Sequence, residues 1–166
     1  MLTIRPETPQ DAAVIRALTN TAFASAPVSA GTEAAIIDAL RDAGALALSL
    51  VATEKGEIVG HVAFSPVHID AAVGDWFGIG PISVRPDRQR AGIGSALMRE
   101  GLRQIHERGA AGCVLVGDPA YYGRFGFVHD PELRLGDVPP PYLQRLAFHD
   151  GEPKGEVHFH EAFAVH

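Results

Sequence analysis

The stretch with the clearest chemical content is Val84-Arg85-Pro86-Asp87-Arg88-Gln89-Arg90-Ala91-Gly92-Ile93-Gly94-Ser95, which lies between a strand pattern and a helix pattern. A helix N-terminus presents unpaired N–H groups and a partial positive charge, so it attracts anions, and glycine omits the side chain that would hold a phosphate away. Gly92 and Gly94 occupy that junction, and Arg88 and Arg90 beside them add full positive charges. The residues read as a pyrophosphate site, with a plain turn and cap as the bland alternative. A dinucleotide site also competes, because Gly92-x-Gly94-x-x-Leu97 opens a helix within a βαβ unit and Asp118 ends the following strand. Against it stand the arm of residues 85–91 between strand and glycines, Leu97 at the third glycine position, and a single visible parallel crossover where a doubly wound sheet needs several. Two further groups carry potential chemistry. His158-Phe159-His160 and His166 suggest a metal, but two histidines on one strand face make an incomplete site, so no metal is expected there. Cys113 sits in an apolar run without an activating partner and reads as a small core residue.

The elements that must position these residues follow from periodicity. Leu2 to Ile4 reads as a first strand; Thr8-Pro9-Gln10-Asp11 then supplies a cap, a proline and an acid for a helix with Ala12, Ile15 and Leu18 on one face. Ala24 to Gly31 reads as irregular, and Thr32 caps a second helix with Ile36, Ile37 and Leu40 inward, ending near Gly44. Leu46 to Ala52, the turn Glu54-Lys55-Gly56-Glu57 and Ile58 to Val67 form a hairpin. Trp76 to Val84 is apolar but interrupted by Gly78, Gly80 and Pro81, which predicts a bulged or splayed strand. Gly92 to Arg108 is a helix with Ile93, Leu97, Met98, Leu102 and Ile105 along one side, and Cys113 to Val116 is a buried strand. Pro119 to Phe125 suits a short helix, the chain around Pro139-Pro140-Pro141 reads as loops, and Glu156 to Ala164 reads as a last strand. The expected class is α/β in the α+β sense, a mixed sheet with helices on it, in one domain spanning residues 1–166.

Composition limits the functional classes. The chain has 166 residues, 46% hydrophobic and 20% charged, with no apolar run long enough to cross a bilayer. Met1-Leu2-Thr3-Ile4-Arg5-Pro6 lacks the pattern of a secretory signal, and one cysteine allows no internal disulfide, so a cytoplasmic setting and no membrane are expected. A net charge of −6 without long basic runs argues against nucleic acid as partner and slightly favours cationic substrates such as amines.

Gln89-x-x-Gly92-x-Gly94, preceded by a strand ending Ile82-Ser83-Val84 and by Pro86, resembles the Q/R-x-x-G-x-G/A signature of the GCN5-related N-acetyltransferases, the GNAT superfamily. Tyr121-Tyr122-Gly123-Arg124-Phe125-Gly126-Phe127 resembles the tyrosine-then-glycine-phenylalanine ending of that family's later motif. The longer stretch beginning at Gly117-Asp118-Pro119-Ala120 is similar to its YhbS-like branch. The resemblance implies the GNAT fold, with a central, mostly antiparallel sheet, splayed strands and flanking helices. It implies acetyl-coenzyme A as cofactor: Ile82, Ser83 and Val84 along the pantetheine arm, and the backbone of Gln89, Arg90, Ala91, Gly92, Ile93, Gly94 and Ser95 on the pyrophosphate, with Arg88 and Arg90 as salt partners. Tyr122 takes the position of the family's general acid. Asp118 departs from the asparagine that many members carry.

Acetyl transfer to an amine needs a neutral nitrogen, a polarised carbonyl and a proton for the departing thiolate. A phenol with its ordinary pKa of about 10 keeps its proton at neutral pH and can donate it. Tyr121 projects about 100° away from Tyr122 on a short helix and reads as a wall residue at the cofactor or substrate. Asp75 is the leading candidate for the base, with Glu33, His61, His68 and water as alternatives. The expected reaction is direct attack of a primary amine, on a small molecule or peptide, with a non-catalytic acyl-coenzyme A sensor as the rival; pairing of final strands allows a homodimer.

Overall fold

The hairpin turn shows how local chemistry sets the sheet. In the computed structural model Lys55 and Gly56 both take positive φ, 51° and 79°, the pair of left-handed residues whose twist matches the strands they join. The structure describes residues 1–24, 31–149 and 152–164, so most of the segment expected to be irregular, and His166, lie outside the described residues. Strand β1 (Leu2–Pro6) lies beside β2 (Leu48–Glu54), which the turn connects to the long β3 (Glu57–Ala71). β3 pairs with β4 (Trp76–Val84) up to Val67 and continues past it because His68 to Ala71 pair with a strand from later in the chain.

The remaining strands are β5 (Gly112–Val116), β6 (Val128–His129), β7 (Leu133–Arg134), β8 (Leu143–Ala147) and β9 (Lys154–His158). The path runs β1-β2-β3-β4-β5-β8-β6, with β9 on β3 and β7 on β9. Pairing is antiparallel except at β4 with β5 and β7 with β9, so the mixed sheet is mostly antiparallel.

Helix α1 (Ala12–Phe23) begins after a single 3-10 turn at Pro9–Asp11, where the Asp11 carboxylate accepts from the Thr8 amide at 2.7 Å and from Arg5 at 2.7 Å. Helix α2 (Glu33–Asp42) ends on Gly44 at φ 68°, with the Ala45 amide bonded back to Leu40 at 2.8 Å. These two helices cover one face through Ile15, Ile37 and Val51. On the other face α3 (Ile93–Glu107) packs Ile93, Leu97, Met98 and Ile105 against Leu50, Val62, Phe64 and Leu115. Each large side chain buried this way contributes about 1.5–3 kcal/mol. Cys113 is fully buried in this core, as expected of a small apolar residue.

Two expectations are corrected. The last strand was expected over Glu156 to Ala164, but β9 stops at His158 and a 3-10 turn follows at Glu161–Ala164. The His160 ring accepts from the Ala162 amide at 3.0 Å and its carbonyl from Phe163 at 3.0 Å, which starts the turn. Phe159 and Phe163 then meet at 5.1 Å between ring centroids instead of alternating across a sheet. The second correction is β8, which lies in a stretch read as loops and pairs with all of β5.

Gly101 lies on α3 directly over the Phe64 ring, where a β-carbon would come within 2.5 Å of that ring. Gly101→Val is expected to destabilise the fold by about 1–3 kcal/mol through overpacking, read as a lower urea midpoint at unchanged m-value.

Candidate functional site

β4 and β5 run side by side only from Trp76 opposite Gly112 to Gly78 opposite Val114. β4 then carries one extra residue against β3, between the pairs Ile79 with Phe64 and Ile82 with Val62. Pro81 has no N–H to offer a ladder, and Gly80 takes φ 134°. The splayed strand predicted from Gly78, Gly80 and Pro81 is therefore present, and the strands part beyond it. A cavity of about 660 Å³ opens in the gap, with Ile79, Pro81 and Ile82 on the β4 side and Val116 and Tyr122 across from them.

Tyr122 stands on α4 (Pro119–Tyr122), a one-turn helix that follows β5 directly. Asp118 caps it, its Oδ1 accepting from the Ala120 amide at 2.9 Å. The Tyr122 ring lies against Gly117, where any side chain would collide with it, and meets the Tyr121 ring edge-on at 4.9 Å and 90°. Burial, helped by the negative potential of Tyr121 and Asp118, pushes the Tyr122 pKa above its ordinary value, so the phenol is a proton donor at neutral pH. The Tyr121 hydroxyl turns elsewhere, 3.2 Å from Ser95 Oγ. Adjacent tyrosines thus face two different cavities, as their angular separation on a helix predicts.

The second cavity, about 320 Å³, lies at the start of α3 and is lined by Val84, Arg88, Gln89, Arg90, Gly92, Ile93, Gly94, Ser95, Tyr121 and Arg124. Arg90 and Gly92 both have left-handed backbone, φ 65° and 82°, a geometry that turns neighbouring N–H groups into a concavity suited to an anion. A β-carbon at Gly94 would meet nothing nearer than the Tyr121 hydroxyl, at 3.4 Å. Packing within the protein therefore does not require this glycine; its bareness keeps open the space before the first turn of α3, and a diphosphate fits that space. Arg88, expected as a salt partner, is already held by Glu54 through two bonds of 2.6 Å each, so much of its charge is offset. Arg124 was missed from the sequence; its guanidinium lies 4.4 Å over the Tyr121 ring and its Nε donates to the Tyr121 carbonyl at 2.9 Å. Its position three residues after Tyr121 was the available signal.

The candidate bases separate. Asp75 is exposed and precedes Trp76, at the closed end where β4 and β5 are paired. Gly80 is five residue steps further along the chain, roughly 16 Å away on an extended strand, and Asp75 lines neither cavity; its assignment as base is corrected on that ground. His68 pairs opposite His158 on β9, with ring centroids 5.6 Å apart, and is likewise outside the cavity. His158 Nε2–H donates to the Asp70 carboxylate at 2.9 Å, while His160 serves the terminal turn, so the two do not act together. Glu33 does line the large cavity. Ser83 is buried, and strand alternation turns its side chain away from Ile82 and Val84, so it lines neither cavity. The walls formed by Phe23, Ile36, Leu135, Phe159 and Phe163 were not foreseen, since they come from four separate segments.

His61 is fully buried, 2.8 Å from the Ser49 hydroxyl, which also binds Glu7. Burial opposes ionisation of Glu7, but hydrogen bonds from Arg41 and Ser49 outweigh it and hold the carboxyl below its ordinary pKa. Ser49 therefore donates to the Glu7 carboxylate, and His61 Nε2–H donates to Ser49. Burial first, and Arg41 to a lesser degree, pushes the His61 pKa down to about 4 against the attraction of Glu7. The ring is neutral and structural.

Comparison with known proteins identifies the family and the fold. The family model described as an acetyltransferase (GNAT) domain matches residues 3–129. The N-acetyltransferase YhbS of Escherichia coli (strain K12) is 41% identical over 167 residues, covering 96% of this chain and 97% of its own. A GNAT family acetyltransferase from Brucella melitensis, solved in complex with acetyl-CoA, superposes with a TM-score of 0.87 at 50% identity, covering 98% of both chains. Escherichia coli YhbS in complex with CoA superposes with a TM-score of 0.88 at 35% identity, covering 99% of this chain and 92% of that one.

A histidine whose pKa is about 4 folded and about 6.5 unfolded takes up its proton first in the unfolded chain. Its contribution to stability is complete above about pH 6.5 and is lost as pH falls toward 4, by at most about 3 kcal/mol. In His61→Gln the pH slope of unfolding free energy over that window is expected to fall by about one proton, measured by urea titrations from pH 4.5 to 7.5.

Proposed function

Because the chain belongs to the GNAT acetyltransferase family, in its YhbS-like branch, we propose that it transfers an acetyl group from acetyl-coenzyme A to the nitrogen of a primary amine by direct attack, with Tyr122 as general acid. The observation that carries this reading is the order of sites along β4. Val84 lines the anion cavity and Ile82 the cavity containing Tyr122, and residues two apart on a strand lie on one face about 7 Å apart. A donor anchored by its diphosphate before α3 and lying along β4 passes Val84, then Ile82, and ends at the phenol.

Acetyl-coenzyme A supplies the acyl group as a thioester. The chain supplies the rest. Amides from Gln89 to Ser95, with Arg90 and Arg124 nearby, hold the diphosphate. The edge of β4, left without a partner after Gly78, presents main-chain groups to the pantetheine arm, and a main-chain N–H of the bulge polarises the carbonyl. As the nitrogen bonds to the acyl carbon and the carbon–sulfur bond breaks, Tyr122 gives its proton to the departing sulfur. The phenol suits that role because burial raises its pKa and keeps it protonated. The proton lost from nitrogen passes to water or to Glu33, the carboxylate lining this cavity, and a proton from solvent restores the phenol.

Tyr122→Phe is expected to lower kcat by about 100-fold or more while coenzyme A affinity stays within about twofold, measured by thiol release and by calorimetry. An unchanged rate removes Tyr122 from this role. Gly94→Ala tests the cradle: the new methyl fits inside the protein, so stability should be equal or up to about 1 kcal/mol higher, while coenzyme A binding weakens about tenfold or more as the methyl occupies the diphosphate space.

A further inference from the structure

We infer that the acceptor is a primary amine carried on an apolar aryl or alkyl body, an inference that rests on the acetyl-transfer reading and names its substrate class. The large cavity continues past Tyr122 to a wall that takes no part in holding the donor. Phe23 at the end of α1, Ile36 on α2, and Phe159 and Phe163 from the end of the chain make this wall. The two last rings are built into the fold. Phe159 lies over β4 because Gly78 has no side chain, and any β-carbon there would run into its ring. Phe163 packs against the cluster of Ile36, Leu40, Ala45 and Ala162.

Charge in the cavity is one-sided. Among the described residues that line it, Glu33 is the one with a formal charge at neutral pH, and none is lysine, arginine or histidine. An ammonium entering along this wall is attracted by the carboxylate, whereas an acceptor bearing a carboxylate or phosphate meets repulsion with no cationic side chain among the described lining residues to pair it. Polyamines and amino sugars would bury further donors and charges against phenyl and aliphatic surface, leaving those groups without partners. An alkyl or aryl body meets surface of its own kind. The volume, about 660 Å³, lies in the range that encloses most of a small organic ligand, so it can take the acyl end of the donor and a compact acceptor together.

The test measures thiol release from acetyl-coenzyme A by the wild-type protein with propylamine, butylamine, hexylamine and 2-phenylethylamine, against ethanolamine, free lysine and spermidine. Calorimetry of the same amines with the coenzyme A-saturated protein runs in parallel. kcat/KM is expected to rise about three- to fourfold for each methylene added, and 2-phenylethylamine to exceed spermidine and lysine by tenfold or more. Glu33→Gln should raise the KM for 2-phenylethylamine about tenfold or more and leave the coenzyme A Kd unchanged. Turnover that is best with spermidine, lysine or ethanolamine overturns the inference while leaving acetyl transfer standing. Tight binding of hexylamine and 2-phenylethylamine without thiol release supports the acceptor site and overturns the transfer. A protein that neither binds nor acetylates the apolar amines overturns the inference outright.

Discussion

The large cavity of this molecule depends on one failure of pairing. Parallel strands β4 and β5 hold together for three residue pairs and then part, because β4 bulges at Gly80 and Pro81. An unpaired strand edge inside a protein is normally a defect to be covered, since its N–H and C=O groups lose water without gaining partners. Here the edge borders a cavity, so those groups are available to an elongated ligand that can satisfy them. The gap also brings together elements that share no sequence neighbourhood: the first turn of α3 on one flank, α4 on the other, and α2 with the chain's last turn above.

The dipeptide Tyr121-Tyr122 links the two cavities. Its members meet edge to face, yet one hydroxyl reaches Ser95 at the anion cavity and the other stands at the apolar one. Asp118 secures both by capping the short helix that carries them. Asp118 therefore has a structural duty of its own, accepting the backbone N–H of Ala120. Electrostatics follows the same partition. Arginine side chains and the N-terminal end of α3 gather at the smaller cavity, while the tyrosine cavity is mostly apolar, and burial keeps the phenol in its proton-bearing form.

How much of this was legible depended on whether the signal was local. The Lys55-Gly56 turn, the α3 stripe from Ile93 to Ile105, the interrupted β4 and the Gly92-x-Gly94 junction all express short-range rules of backbone geometry and periodicity, and all appear as expected. β8 was not legible. Leu143-Gln144-Arg145-Leu146-Ala147 has no strict alternation, and it becomes a strand because β5 offers an edge with a matching register. The terminal turn was missed because Phe159 and Phe163 are governed by a glycine on β4 and a cluster on α2, both remote in sequence. Arg88 looked available beside the glycine loop until folding brought Glu54 to it. Asp75 is near β4 in sequence, but a strand extends its residues so far that nearness along the chain becomes separation in space.

The wall formed by Phe159 and Phe163 belongs to a segment that makes no part of the diphosphate cradle. It is fastened by β9 against β3 and by packing on α2. Donor recognition and the opposite side of the pocket are therefore encoded in separate stretches, and drift in one leaves the other intact. The far wall of the pocket can thus be recut by substitutions in the terminal segment alone, with the junction that opens α3 left as it stands.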